Sequence, residues 1–426
     1  MPIKSCFIKY CTYLLLLLTG FVVQGQCPMD GRSYEVHAKE DLLYAVDTAF
    51  DGTLDSLYLD IYTPVGDANP ARPMIVWIHG GGFFRGNKEY FRDLCRQFAA
   101  EGFACSTISY RLGFYPPQIG NTSPPFSYDD AEPIRAGYRA MQDTKAAIRF
   151  LKARHAEDST DIDHFILSGA SAGGIAAVTA ANIIHPQDKY DACKDLEPVK
   201  GLDASYERPD LGPVEGKFNL NGYDAKVEAV ISIFGGIINT DFLGSSYPKH
   251  YFLYHQTLDP IVPCETHNGY WLAPVLKDNY PKISGGCSML DYIDQHGSDG
   301  KVIMPFIVEG VEHGVHDMEA LLDSIHVFLG QVLCQTTAVD YADPAMGSIR
   351  VFPQPAQTWA RIILPDGVAI KSVELVGLHA AHYNPAYYTG MSNSEVLIDV
   401  SSLPEGFYIL KITDNAANTY VTKLVK

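Results

Sequence analysis

A chain of 426 residues has room for one large domain and a smaller one. With 47% apolar residues and 12% aromatics it reads as globular, not disordered. A formal net charge of −18 argues against a nucleic-acid partner, because binding phosphates needs a basic face, and acidity of this kind names no other partner.

Residues 1–26 read as a secretory signal: Lys4 and Lys9 give the positive start, 13–23 the apolar core, and Val23-Gln-Gly25 the small-residue site. The core is short for a bilayer span, so an anchor is the weaker alternative. Cys27 raises a lipoprotein alternative, which the bulky Gln26 before it disfavours. No later stretch reaches transmembrane length. Removing the signal takes Cys6 and Cys11 and leaves seven of nine cysteines. Export permits disulfides, and Cys264 and Cys287 bracket a loop and could pair.

Strand-like runs at 34–46 and 56–62 flank an Asp51-Gly52 turn. Met74-Ile-Val-Trp-Ile78 is a continuous apolar run, as expected of a central parallel strand, and His79-Gly-Gly-Gly-Phe83 follows at once. Residues 88–101 carry helical periodicity, 103–109 read as a strand, and 115–131 as a loop. Residues 136–155 form an amphipathic helix with Met141, Ile148 and Leu151 on one face. The apolar run from Phe165 to Leu167 reads as a buried strand and 175–181 as a helix. Residues 184–226 look like a polar surface insertion. Strands follow at 227–234, 251–255 and 302–308, and a helix at 317–334 closes the domain. Strands alternating with helices indicate α/β architecture, a mostly parallel sheet flanked by helices. A linker at 335–347 changes the texture. Beyond it, 348–426 holds only short alternating strands between turns, expected to form a small β-sandwich.

The chemistry centres on Gly169-Ala-Ser171-Ala-Gly173, between the strand and the helix. A serine on so tight a turn is pushed outward, and bare Cα atoms at Gly169 and Gly173 let strand and helix approach. A serine hydroxyl needs a base, and the base needs an orienting acid. Asp259 and His313 each lie just past a predicted strand, in the order Ser, Asp, His. The glycines of His79-Gly-Gly-Gly82 offer unencumbered N–H groups where a carbonyl oxygen gains charge. His316 is an alternative base and Asp241 an alternative acid. His267 reads as a surface residue and Asp143 as a structural carboxylate. His313-x-x-His316 lacks the further ligands of a metal site.

Residues 34–334 resemble the carboxylesterase branch of the α/β-hydrolase superfamily, in particular the hormone-sensitive-lipase-like enzymes. The resemblance rests on His79-Gly-Gly-Gly-Phe83, Tyr110-Arg-Leu, Gly169-Ala-Ser-Ala-Gly-Gly174, Asp259-Pro-Ile-Val-Pro and Glu312-His-Gly314. It implies an α/β-hydrolase domain over 27–334, Ser171 as nucleophile, His313 as base and Asp259 as orienting acid. Gly81, Gly82 and Ala172 would donate the oxyanion hydrogen bonds, and His79 would shape its loop. No cofactor and no metal are implied. Residues 235–250 leave little room for a helical lid, which points away from long-chain lipids. The cleft is expected between 83–90, 113–131 and 184–226, with Phe114, Tyr115, Phe126 and Tyr128 as candidate lining.

The tail resembles the C-terminal sorting domain of type IX secretion, through Val351-Phe-Pro-Gln-Pro355, Val400-Ser-Ser-Leu-Pro-Glu-Gly-Phe-Tyr408 and the closing Val421-Thr-Lys-Leu-Val-Lys426. It implies handling by the secretion machinery of a Gram-negative bacterium, with the product secreted or attached to the cell surface. A carbohydrate-binding module displaying Tyr383, Tyr387 and Tyr388 is the alternative. The whole reads as a secreted serine carboxylesterase acting on short acyl or carbohydrate-linked esters, acetyl and feruloyl among them. A peptidase of the same superfamily and a non-enzymatic adhesion module are the alternatives.

Overall fold

The computed structural model describes residues 28–29, 32–114, 129–200, 205–244, 250–274, 276–297, 300–333, 350–352, 358–363, 370–377, 382–389, 395–404, 406–415 and 419–426. The expected signal, Cys27, the loop residues Tyr115, Phe126 and Tyr128, the linker 335–347 and Pro353-Gln-Pro355 lie outside them. Contacts divide the chain into two compact units, Met1–Cys334 and Gln335–Lys426.

The first unit is built on eight strands: β1 (Glu35–Thr48), β2 (Leu54–Val65), β3 (Arg72–Ile78), β4 (Ala104–Ile108), β5 (Thr160–Ala170), β6 (Ala229–Ile233), β7 (His250–Gln256) and β8 (Ile303–Val308). Their spatial order is β1-β2-β4-β3-β5-β6-β7-β8. β1 and β2 pair antiparallel, as do β2 and β4; every pairing from β4 to β8 is parallel. Every residue of β3 is buried, because a parallel strand has helices over both faces. Its side chains alternate accordingly. Met74, Val76 and Ile78 join a core with α2 (Ala131–Ala153), α3 (Ala172–Asn182) and α4 (Gly286–His296). Ile75 and Trp77 face α1 (Arg92–Ala100) and α5 (Met318–Leu333).

Two features depart from the expectation. α4 is a helix that periodicity had not marked, since only Met289 and Ile293 of its residues are large, apolar and fully buried. The described residues of the segment 184–226, expected as a polar surface insertion, form a strap across α2. A row of α2 donors reaches its carbonyls: Arg135 to Ala192, Tyr138 to Gly212, Gln142 to Leu211 and Pro213, Arg149 to Phe218, and Lys152 to Lys226, while Lys145 bonds the Glu215 carboxylate. A loop on a helix brings unpaired carbonyls with it, and these side chains satisfy them. Cys264 and Cys287 form a disulfide that ties the loop after β7 to the first turn of α4.

The second unit holds two four-stranded antiparallel sheets. One has the order β9 (Arg350–Phe352), β10 (Trp359–Ile363), β14 (Glu395–Asp399), β13 (Tyr387–Thr389). The other is β12 (His382–Tyr383), β11 (Ile370–Gly377), β15 (Phe407–Asp414), β16 (Thr419–Val425). Alternate residues of both, among them Ile362, Leu375, Ile398 and Leu410, make the core of a sandwich.

Candidate active site

β5 ends at Ala170 and α3 begins at Ala172, so a single residue makes the turn. That residue, Ser171, stands at φ 57° and ψ −124°, a backbone conformation that non-glycine residues rarely hold. The glycines around it are steric requirements. A Cβ on Gly173 would fall 2.0 Å from the carbonyl oxygen of Ile78, and one on Gly169 2.4 Å from the backbone of Gly173.

The imidazole of His313 lies between Ser171 and Asp259. Its Nδ1 is 2.7 Å from Asp259 Oδ2 and its Nε2 is 2.8 Å from Ser171 Oγ. A carboxylate only accepts, so Nδ1 carries the proton and Nε2 offers its lone pair to the serine hydroxyl. The carboxylate is itself immobilised. Asp259 is fully buried, and its Oδ1 accepts from the N–H groups of Ile261 and Val262 at 2.8 and 3.0 Å. Trp271 donates to its backbone carbonyl at 2.7 Å. Of the alternatives, His316 is exposed and its N–H donates to Tyr254 Oη, while Asp241 sits exposed in a short helix, Thr240–Gly244. Asp143 accepts from the backbone and guanidinium of Arg111. Among the described residues no group of three or more His, Cys, Asp or Glu is placed to hold a metal ion.

The glycine loop runs beside the serine. A Cβ on Gly80 would sit 3.3 Å from that of Ser171, and Gly81 and Gly82 take φ of 108° and 63°. Gly82 and Ala172 line the same cleft as Ser171. Ala172 opens α3, where the first N–H groups have no acceptor within the helix. His79 is buried, stacks on Tyr110 at 4.2 Å and donates from Nδ1 to its neighbour's carbonyl, at Gly80, over 2.8 Å. Tyr110 Oη bonds the carbonyl of His79 at 3.0 Å.

Burial pushes the His79 imidazole down from its ordinary 6.5 to about 4. Between those values the unfolded chain takes up a proton that the folded chain does not. The contribution of His79 is therefore complete above pH 6.5 and lost as the pH falls toward 4, a difference of about 3 kcal/mol. The expected result is a urea midpoint that drops between pH 7.5 and pH 4.5, and drops less in His79→Gln.

The cleft, about 720 Å³ with its open mouth, is apolar and aromatic, walled by Phe83, Tyr138, Ile175, Tyr190, Tyr270 and Tyr280. Of the lining expected from sequence, Phe114 is buried with its ring against Phe84, 5.7 Å between centroids. The tyrosines that do line the cleft lie in aperiodic loops or on α2, where no pattern marks them.

Sequence reasoning also missed the end of β7. His255 is buried, accepts from Gly286 N–H at Nδ1 and donates from Nε2 to Val262 O at 2.8 Å, which links the Asp259 loop to α4. Burial lowers its pKa and keeps it neutral. Tyr254 and Gln256 reach the His313 loop instead. The available signal was the polar run Tyr254-His-Gln-Thr257 at the close of a buried strand.

Residues 59–120 match the BD-FAE family, and residues 350–426 match the secretion system C-terminal sorting domain. Among curated proteins, carboxylesterase 1C of Rattus norvegicus is 33% identical over 136 residues, which is 32% of this chain and 22% of that one. Esterase LipI of Mycobacterium tuberculosis is 30% identical over 141 residues, 32% of this chain and 38% of that one. The chain thus spans well under half the length of these relatives. Among solved structures, Thermogutta terrifontis esterase 2 is 18% identical, with a TM-score of 0.42 over 70% of this chain and 96% of that one. The chain is thus similar to the BD-FAE family over residues 59–120, which carry the glycine loop, and to the secretion system C-terminal sorting domain over residues 350–426.

Proposed function

We propose that the first unit is a serine carboxylesterase that works through an acyl-enzyme, and that the second directs its export. The observation that carries this reading is the unbroken hydrogen-bond path from Ser171 through His313 to a carboxylate buried at Asp259. Ser171 Oγ attacks the ester carbonyl as its proton passes to His313 Nε2, and the Asp259 charge balances the imidazolium. The N–H groups of Gly81, Gly82 and Ala172 receive the oxyanion. Collapse of the tetrahedral species expels the alcohol, which takes the proton from His313. Water then repeats the sequence and frees the serine. No cofactor enters.

The substrates are short acyl or carbohydrate-linked esters. Support comes from the aromatic walls, from the BD-FAE match and from the sorting domain, which suits a polymer met outside the cell. No helix among the described residues is long and apolar enough to cross a membrane, and the product is secreted or held at the surface of a Gram-negative cell by its tail. The test is a panel of p-nitrophenyl acetate, butyrate and palmitate beside acetylated and feruloylated oligosaccharides. Turnover of the short and sugar-linked esters is expected, with kcat/KM for palmitate at least about tenfold lower. A preference for palmitate overturns the substrate assignment, and absence of any ester hydrolysis overturns the activity.

A further inference from the structure

We infer that the side chain of Gln256, which makes no bond to the reacting atoms, sets the position of the His313 imidazole. The inference rests on the reading of His313 as the base. Gln256 closes β7 and is only 3% exposed. Both ends of its amide are engaged by one loop. Oε1 accepts from the N–H of Glu312 at 3.0 Å, and Nε2 donates to the carbonyl of Gly314 at 3.1 Å. One planar group thus holds the backbone of the two residues that flank His313.

The sheet alone does not do this. Its last bonds toward the loop, Thr257 N–H to Val308 O and Leu258 N–H to Gly310 O, fix where the loop departs. They leave the arch from 311 to 314 free to tilt. A tilt of about 1 Å at the imidazole is enough to cost two orders of magnitude in rate. Tyr254 braces the far side of the loop, with Oη accepting from His316 N–H at 2.6 Å and donating to the Gly314 carbonyl at 3.4 Å. Gly310 is an independent sign of the same device: a Cβ there would fall 2.0 Å from Gln256 Oε1. The loop carries no side chain where the amide passes. Gln256 touches no reacting atom, so it is a positioning residue.

The experiment compares Gln256→Ala, Gln256→Glu, Gly310→Ala and the double variant Gln256→Ala/Gly310→Ala in the full chain, with p-nitrophenyl acetate. Gln256→Ala is expected to lower kcat by about 10- to 100-fold with KM within about twofold. In Gln256→Glu the new carboxyl group would accept from the Glu312 N–H at any pH but donate to the Gly314 carbonyl only when protonated. The ratio of Gln256→Glu to wild-type kcat should therefore rise as the pH falls from 7 to 5, while the Gln256→Ala ratio stays flat. The groups facing this position, Tyr254, Glu312 and His313, are present in all the proteins, and the Gln256→Ala ratio reports their titration without the added carboxyl group. Gly310→Ala should reproduce the loss, and the double variant should be no worse than either single, because both remove one interaction. Wild-type kcat in Gln256→Ala, a flat Gln256→Glu ratio, or additive losses would each overturn the proposal. If Ser171→Ala stays active, the reading of His313 has failed. If Ser171→Ala is dead and Gln256→Ala is normal, only this inference has.

Discussion

Ser171→Ala is expected to lower kcat for p-nitrophenyl acetate by about 10⁴- to 10⁶-fold and to leave the fold intact. Alanine keeps the Cβ that the turn already accommodates at φ 57°, so the backbone strain does not change. Only the hydroxyl is lost, along with its 2.8 Å bond to His313. What remains is binding and the N–H groups of the glycine loop, which supply a small residual rate. A fluorophosphonate reagent should add its mass to the wild-type chain once and not to the variant, with thermal midpoints within a few degrees of each other. Labelling that persists in Ser171→Ala would place the nucleophile elsewhere.

The parts of the molecule that were legible in sequence are those fixed by local pattern. The continuous apolar runs mark β3, β5 and β7, because a buried parallel strand leaves no room for polar alternation. Ser171, Asp259 and His313 follow β5, β7 and β8 in turn, and in a parallel sheet all strand ends of one sense lie along one edge. The glycines could be read too, since positions 169 and 173 exclude any side chain.

What stayed hidden depends on contacts between distant residues. Arg135, Gln142, Lys145, Arg149 and Lys152 look like the solvated face of α2 on any helical projection. They are buried donors whose acceptors lie about 57 to 74 residues away, in a strap that has no periodicity of its own. A surface helix and a strapped helix carry the same local signal. The same holds for Gln256, where only the fold reveals that the amide bridges the two residues that flank His313. The cleft walls are harder still, for Tyr190, Tyr270 and Tyr280 sit in loops that only the disulfide-tied region and the strap bring together.

Asp259→Asn separates orientation of the base from support of the loop, and it is expected to lower kcat by about 10⁴-fold. The carboxamide oxygen of the variant can still accept from Ile261 and Val262, and Trp271 can still bond the backbone carbonyl, so the turn keeps its shape. The amide NH₂ would then occupy the place of Oδ2 and confront the Nδ1–H of His313, donor against donor. Relief comes by moving the ring proton to Nε2. That nitrogen then points a hydrogen at Ser171 Oγ and has no lone pair to receive the hydroxyl proton. Nearby His255 offers no substitute, because its Nε2 lies 3.6 Å from the same carboxylate oxygen and already donates to Val262. The measurement is kcat on p-nitrophenyl acetate beside the thermal midpoint, with Asp259→Ala as the control that also loses the loop bonds. Asp259→Asn should keep the midpoint within a few degrees while Asp259→Ala does not. An Asp259→Asn enzyme with more than about a tenth of wild-type kcat would mean that another group orients His313, and would return Asp241 to consideration.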